Sequence, residues 1–228
     1  MKRSFKFLSF WLFIALSTAT VVFTSYSKGD AGSSQQATNS STSEKGVVIN
    51  GVRWATRNIA APGTFAAKPE DAGKFYQWNR KKAWATTGDV MGWDSSYSVS
   101  APWPKVNDPS PAGWRIPTAD DFEKLLDTDK VRNVWTTQNG VNGRKFTDTI
   151  TGNSIFLPAV GSRDGDNSTL DDAGARGLYW SCDMMCYDDE DDDVICAAII
   201  QFFGSDNAEN VLFNPLSSGL SIRAVSEN

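Results

Sequence analysis

Residues 113–126 read GWRIPTADDFEKLL, and this stretch predicts how the middle of the chain folds. Pro117 disfavours a helical backbone at the residue before it, so a helix is expected to begin cleanly after the proline. Thr118 is a favourable N-cap, and Asp121 stands at the acidic position of a capping box. Three apolar residues follow on one helical face, Phe122, Leu125 and Leu126. The stretch therefore predicts an amphipathic helix that begins at Thr118, with the ring of Trp114 buried beneath it.

Strand patterns lie on both sides of this helix. Asn50 and Gly51 separate two short runs of β-forming residues, which favours a type I′ hairpin turn because both tolerate positive φ. Downstream, strands are predicted at 145–150, 154–157, 177–181, 194–203, 210–213 and 218–225. The segment 194–203 is apolar on both faces, as is typical of a central strand.

The intervening residues 60–112 are rich in Pro, Gly, Ser and Trp and predict long packed loops, with a short second helix at 70–78. The whole pattern predicts an α+β fold with one or two short helices, a central antiparallel sheet and long ordered loops.

The N-terminal residues 1–27 have the pattern of a signal peptide. A positive n-region is formed by Lys2, Arg3 and Lys6. An apolar run at 7–23 and the small residues Ser25 and Ser27 complete the pattern. The run is at the low limit for a membrane-spanning helix, so an uncleaved anchor is the alternative. Residues 28–46 are polar and of low complexity and predict a disordered tether, which leaves a single domain at 47–228.

The composition excludes several classes of chemistry. The chain contains no histidine, which removes His-dependent catalytic triads, His-ligated zinc and the usual general base near neutral pH. The formal net charge is −5, and it becomes more negative once the basic segment 1–27 is removed. A nucleic-acid partner is therefore not expected, and neither is stable membrane insertion after signal cleavage.

Three cysteines, Cys182, Cys186 and Cys196, lie in the part predicted to be exported, where disulfides persist. If 177–182 and 194–203 pair as a hairpin, Cys182 and Cys196 come within disulfide reach. A Cys182–Cys186 bridge is the alternative, and the odd count leaves one thiol over.

Acidic residues mark two candidate cation sites. The loop at 163–172 opens with a D-x-D-x-S pattern, but Thr169 and Ala175 stand where an EF-hand needs Gly and Glu. A looser calcium site would use Asp164, Asp166, Asp171 and Asp172, and the alternative is a solvated turn-rich loop. The wholly acidic run 188–193 predicts an exposed hairpin tip, either simply solvated or able to attract a cation or a basic partner.

Several motifs together carry a family resemblance. GWRIPT at 113–118 resembles a "GWRLPT" signature, GLYWS at 177–181 resembles "GxYWSS", and GLSIRAV at 219–225 resembles "GxSVRxV". Two further fits are VRWATRN at 52–58 and GKFYQW at 73–78. In this order the motifs resemble the Fibrobacter succinogenes major paralogous domain over most of 47–226. The matching structural residues are Gly113, Trp114, Arg115, Pro117, Thr118, Tyr179, Trp180 and Arg223. Arg223 is expected to pair with a carboxylate at the sheet edge.

The resemblance implies a C-type-lectin-like fold, distantly related to the formylglycine-generating enzymes, in the envelope or secretions of Bacteroidota-like bacteria. Two departures from the family pattern matter. Ser110 stands where the family often has a cysteine, which removes any disulfide through that position. Tyr26 stands where related lipoproteins carry the cysteine that is lipidated, so release into the periplasm, onto the surface or to the outside is expected rather than lipid anchoring.

Some similar domains are variable ligand-binding proteins whose diversity gathers between the "YWS" and terminal "SVR" strands. The expected function is accordingly an exported ligand-binding domain without catalysis, whose ligand is a protein or a glycan. The candidate binding residues are Asp183, Met184, Met185, Tyr187, Asp206, Asn207, Asn210 and Asn214, for which ordinary loop composition is the alternative explanation. The alternative function is a structural or accessory subunit of a surface filament or envelope assembly.

Overall fold

The computed structural model describes residues 44–99, 102–189, 192–204 and 210–228, with the backbone alone at 185–189, 192–195 and 210–213. The predicted signal peptide and most of the predicted tether therefore lie outside the described residues. The strands are β1 Val47–Ile49, β2 Val52–Trp54, β3 Trp114–Arg115, β4 Val131–Gln138, β5 Val141–Asp148, β6 Ser154–Pro158, β7 Ser162–Arg163, β8 Leu170–Asp171, β9 Arg176–Asp189, β10 Asp192–Phe203, β11 Asn210–Pro215 and β12 Val225–Ser226. The helices are a 3-10 turn at Lys105–Asn107 and the helix α1 at Ala119–Leu126.

The strands form four antiparallel sheets, ordered β1-β2-β12-β3, β11-β10-β9, β4-β5-β6 and β7-β8. The described part of the chain is thus rich in antiparallel sheet and has a single α-helix, which confirms the α+β class. Among the described residues, no helix has the length and apolar character needed to cross a membrane.

The sheet β11-β10-β9 lies between two hydrophobic clusters, with β10 in the middle. Ala197 and Ile199 belong to a first cluster, which is rich in tryptophan, with Trp78, Trp103, Trp114 and Trp180. Ile200 and Phe202 point the other way, into a second cluster with α1 and the sheet β4-β5-β6. Along 196–202 both faces of β10 pack on their own cluster, and the strand pairs with β9 on one side and β11 on the other, so the prediction of a central strand is confirmed.

Helix α1 begins as its sequence predicts. The Thr118 side chain accepts from the Asp121 amide, and the Asp121 carboxylate accepts from the Thr118 amide. The ring beneath the helix, however, is that of Trp54, which stacks on Phe122 with centroids 5.6 Å apart. Trp114 instead meets Phe65 edge to face at 5.5 Å, so its predicted place under the helix is wrong.

Two hairpins turn on an Asn-Gly pair. Asn50 and Gly51 have φ of 43° and 80°, which confirms the predicted hairpin of β1 and β2. Asn139 and Gly140 adopt φ of 49° and 84° and join β4 to β5. The sequence prediction missed β4 altogether, although this second Asn-Gly pair carries the same signal.

Two predicted elements are replaced by irregular backbone. Residues 70–78 form no helix; Phe75 bridges to Trp84 and Tyr76 bridges to Leu220. Gly73 has φ +73°, and a Cβ there would lie 2.3 Å from the carbonyl oxygen of Ile59, so this close approach requires glycine. The segment 218–225 forms isolated bridges through the interior, and only its end joins β12.

Arg223 is fully buried and has no carboxylate partner among the described residues. Its guanidinium donates to Asn58 Oδ1 at 2.9 Å, to the Ala55 carbonyl at 3.2 Å and to the Phe156 carbonyl at 3.0 Å. The expected carboxylate pair at the sheet edge is therefore wrong. Because the terminal segment runs through the core, neutral oxygens from the segment 55–58 and from β6 satisfy the charged group instead.

The folded domain begins before the predicted boundary at Val47. The Glu44 carboxylate accepts from the amide and hydroxyl of Thr56 and from Arg57 Nε at 2.8 Å. Burial raises the pKa of Glu44, but these hydrogen bonds outweigh it and hold the pKa below its ordinary value. Residues 44–46, which the tether prediction included, are thus anchored to the domain.

Candidate functional site

The candidate binding residues divide between the two ends of the sheet β11-β10-β9. Asn214 lies opposite Ala197 on β10, whereas Asn210 lies opposite Gln201. These positions are separated by about 13 Å, taking about 3.3 Å per strand residue. Asp206 and Asn207 lie outside the described residues, between Gly204 and Asn210. The candidates therefore do not share one end of the sheet, because β10 runs the whole length of the sheet between the two groups.

The end that holds most of the candidates is the hairpin end, where β9 and β10 pair as far as Asp189 and Asp192. Asp183, Met184, Met185 and Tyr187 all lie on the β9 side of this end. β11 pairs with β10 only as far as Cys196, which lies opposite Pro215. Beyond that point the described part of the sheet is a two-stranded ribbon of β9 and β10. In the acidic run 188–193, the backbone of Asp188 and Asp189 pairs with that of Asp193 and Asp192, as the predicted hairpin requires.

Asp183 fixes the base of this ribbon. Its Oδ2 accepts from the amide of Ala119 at 2.6 Å, at the N-terminus of α1, where a negative charge is favourable. The neighbouring Cys182 amide donates to the Pro117 carbonyl at 2.7 Å. Met184 is partly buried and packs against the first cluster. These two candidates therefore position the hairpin, and the side chains of Met185 and Tyr187 are outside the described set.

A neighbouring loop presents apolar side chains that sequence analysis missed. Tyr97, Val99 and Val106 are 60%, 54% and 74% exposed, and together they form what we call the hairpin-end surface. Asn79 links them, since its amide donates to Ser98 at 3.1 Å and accepts from Asn107 at 2.7 Å. The signal available in the sequence was the stretch DSSYSVS at 94–100, where apolar residues stand alone among serines.

The hairpin-end surface lies beside the ribbon. The amide of Trp78, which precedes Asn79, donates to the Leu216 carbonyl just after β11. On the other side the amide of Trp103 donates to the Cys182 carbonyl at 3.0 Å. Both bonds reach the hairpin end of the sheet.

The loop that carries Tyr97 is held by Arg80. Arg80 donates to Asp94 Oδ2 at 2.7 Å and to the Ser96 carbonyl at 2.8 Å. Hydrogen bonds from Ser96, together with Arg80, lower the pKa of Asp94 to about 2. The loop is thus tied to the domain at its root while the side chains of Tyr97 and Val99 project into solvent.

The four carboxylates of the predicted calcium site do not converge. Asp164 Oδ1 accepts from the amides of Asp166 and Asn167 at 2.9 and 3.1 Å, and Asp172 pairs with Arg176 at 3.3 Å. In the described ranges, no three acidic or cysteine side chains gather where they could hold a metal ion. The structure therefore does not bring Asp164, Asp166, Asp171 and Asp172 together as a preformed calcium site.

We expect a variant carrying Asp166→Asn and Asp171→Asn to respond to calcium as the wild type does. A site filled at 100 times its dissociation constant would add about 2.7 kcal/mol, or roughly 2–4 °C in Tm. The measurement is thermal unfolding of both proteins in millimolar calcium and in chelator. A calcium-dependent rise in the wild type that the variant loses would show that the loop binds the ion.

Cys182 and Cys196 are both free thiols. Cys196 lies opposite Met185 in the β9–β10 register, so Cys182 is displaced along the strand from the facing position. The register therefore does not set Cys182 opposite Cys196 for the predicted disulfide, and the side chain of Cys186, the alternative partner, lies outside the described residues. Burial, and then the carboxylate of Asp183, raise the pKa of the Cys182 thiol to about 12, so it is protonated at neutral pH.

Stability is expected to fall as acid protonates Asp121. Burial raises the pKa of this carboxyl, but the ion pair with Arg115 at 2.7 Å and the Thr118 amide outweigh it and hold the pKa below its ordinary value. The stabilisation is therefore present above the unfolded-state pKa of about 3.9 and is lost as pH falls through the lower folded-state value.

Urea unfolding between pH 2 and 7 measures this dependence. Asp121→Asn should unfold more easily at pH 7 and show a flatter dependence below pH of about 4. An unchanged profile would mean that the capping box contributes no charge-dependent stability.

No family model, no curated protein and no solved structure matches the chain.

Proposed function

We propose that the chain is an exported ligand-binding domain of C-type-lectin-like fold that recognises a protein or a glycan at the hairpin-end surface. The observation that carries the proposal is the pairing of a rigid body with exposed apolar side chains at one end. The central sheet is packed on both faces, whereas Tyr97, Val99 and Val106 are exposed beside it.

The chemistry of this surface suits binding. Tyrosine supplies a large amphipathic contact area at a low cost in conformational entropy, and serines around it supply adaptable hydrogen bonds. The roots of the loop are fixed by Arg80 and Asn79, which limits the entropy lost when a ligand binds. The lack of any histidine in the chain argues for binding over catalysis. The resemblance to the Fibrobacter succinogenes major paralogous domain supports the same function.

The test is binding of the purified chain to immobilised bacterial envelope glycans and envelope proteins. A Tyr97→Ala, Val99→Ser variant should lose binding to whichever panel member the wild type binds. Ile150→Ser is the matched control, because Ile150 is 85% exposed but lies after β5, away from the hairpin end. Equal loss in both variants, or binding kept by the loop variant, would contradict the proposed surface.

A further inference from the structure

The outer strand of the sheet β4-β5-β6 has a free edge. β4 pairs with β5 along its whole length, from Val131 opposite Asp148 to Gln138 opposite Val141, without a bulge. Its other side pairs with no strand among the described residues. A regular edge strand of this length is a template for pairing with another chain.

The phase of the β4–β5 ladder decides which backbone groups face outward. The Thr149 amide donates to the Lys130 carbonyl at 2.8 Å, one position before the first pair of the ladder. In an antiparallel pair the hydrogen-bonded positions alternate, so the even-numbered residues of β4 bond to β5. The odd-numbered residues turn their amides and carbonyls outward, and these are Val131, Asn133, Trp135 and Thr137.

Most of these outward groups are available. The Val131 amide donates to the Asp127 carbonyl at 2.7 Å. Within the described part of the chain, the amides of Asn133, Trp135 and Thr137 have no such acceptor. An antiparallel strand added at this edge would accept hydrogen bonds from these three alternate amides.

There is room beside the edge for such a strand. An open cleft of about 580 Å³ is lined by Thr128, the consecutive residues 131–135 and Arg144. Because side chains alternate between the two faces of a strand, consecutive residues can line one hollow only if it follows the edge of the backbone.

We propose that β4 pairs antiparallel with β4 of a second copy of this chain, about a twofold axis at Val134. In this register Asn133 faces Trp135 of the second copy, and Val131 faces Thr137 of the second copy. Every free outward amide then meets an outward carbonyl, so the two sheets β4-β5-β6 become one continuous sheet. A twofold pairing of this kind is closed and uses the same surface on both copies.

The side chains favour this axis over one at Arg132. Val134 is an exposed apolar residue, and at this axis it meets its own copy in a non-hydrogen-bonded pair, where side chains are closest. Arg132 then faces Thr136. An axis at Arg132 would set like charges directly opposite each other, which is destabilising.

Cysteine cross-linking tests the register. Val134→Cys places two thiols within disulfide reach across the axis, since directly opposite Cβ atoms lie about 4.5–5.5 Å apart. Under mild oxidation most of this variant should run as a covalent dimer on a non-reducing gel. Thr136→Cys, which faces Arg132 and not itself, should stay near the level of the wild type, whose native cysteines set the background. Equal cross-linking of the two variants would overturn the register.

Sedimentation equilibrium tests the association itself. At concentrations of the order of hundreds of micromolar, the average mass of the wild type should approach twice that of one chain. Thr137→Pro removes one outward amide and leaves the inward bonds of its neighbours to β5, whereas Thr137→Val keeps the amide. The proline variant should remain monomeric with an unchanged circular dichroism spectrum, and the valine variant should dimerise. A monomeric wild type would overturn the proposal. The result does not depend on whether the hairpin-end surface binds a ligand.

Discussion

Replacing Arg223 by methionine is expected to lower the free energy of unfolding by about 3–5 kcal/mol. The guanidinium is fully buried and is the donor to Asn58 Oδ1, the Ala55 carbonyl and the Phe156 carbonyl. Methionine fills much of the volume but leaves these acceptors buried without a donor, and each orphaned acceptor costs about 1–3 kcal/mol.

Chemical denaturation at pH 7 measures this loss. Burial lowers the pKa of Arg223 to about 10, so the wild-type group is charged under these conditions. Arg223→Lys should recover only part of the stability, because one ammonium cannot reach all three acceptors on the two segments. Arg53→Met is the matched control on an exposed arginine and should change stability by no more than about 0.5 kcal/mol. A loss in Arg223→Met as small as that of the control would contradict the role of this residue.

Replacing Trp180 by alanine is expected to cost a similar amount, about 3–5 kcal/mol. Trp180 is fully buried in the first cluster and packs edge to face on Trp78, with ring centroids 5.8 Å apart. Its Nε1 donates to the Tyr76 carbonyl at 2.7 Å, which ties β9 to the loops before α1. Alanine would leave a cavity at the point where the sheet meets these loops.

Trp180→Phe separates packing from the hydrogen bond. Phenylalanine keeps most of the buried ring and removes one of the two donors to the Tyr76 carbonyl, which still accepts from the Leu220 amide at 3.0 Å. A smaller loss of about 0.5–1.5 kcal/mol is therefore expected. Urea unfolding of the two variants measures both contributions. If alanine and phenylalanine cost the same, the cavity has no part in the effect and the packing argument fails.

Features set by neighbours in the sequence were predictable. The turn at Asn50 and Gly51 and the cap of Thr118 on α1 follow from residues within a few positions of one another. The central strand at 194–203 followed from its apolar residues alone. β4 was equally accessible through Asn139 and Gly140, so its omission was a missed signal and not a limit of the sequence.

Features set by distant partners were not predictable in the same way. Residues 70–78 have apolar side chains that suit a helix, but Tyr76 bonds to Leu220 from the far end of the chain. The same is true of Arg223, whose oxygen partners come from the early segment 55–58 and from β6. A local sequence pattern does not show which distant segment of backbone will hydrogen-bond to it.

The candidate site shows a related error. The candidate residues at 183–214 were chosen by their position along the chain. A strand as long as β10 carries its two ends far apart, so the set divides between the ends of the sheet. Asp183 has the polarity expected of a binding residue, but its carboxylate is committed to the N-terminus of α1. The exposed Tyr97 and Val99 belong to a loop region that gave no periodic signal.

Hydrogen–deuterium exchange with the tightest-binding member of the glycan and protein panel tests the central claim, recognition at the hairpin-end surface. The bound domain should exchange more slowly at 95–99, at 105–107 and in the outer part of β9. Exchange in the loop at 164–169 and along β4 should not change. Protection confined to that loop or to β4, with 95–99 unaffected, would contradict the account.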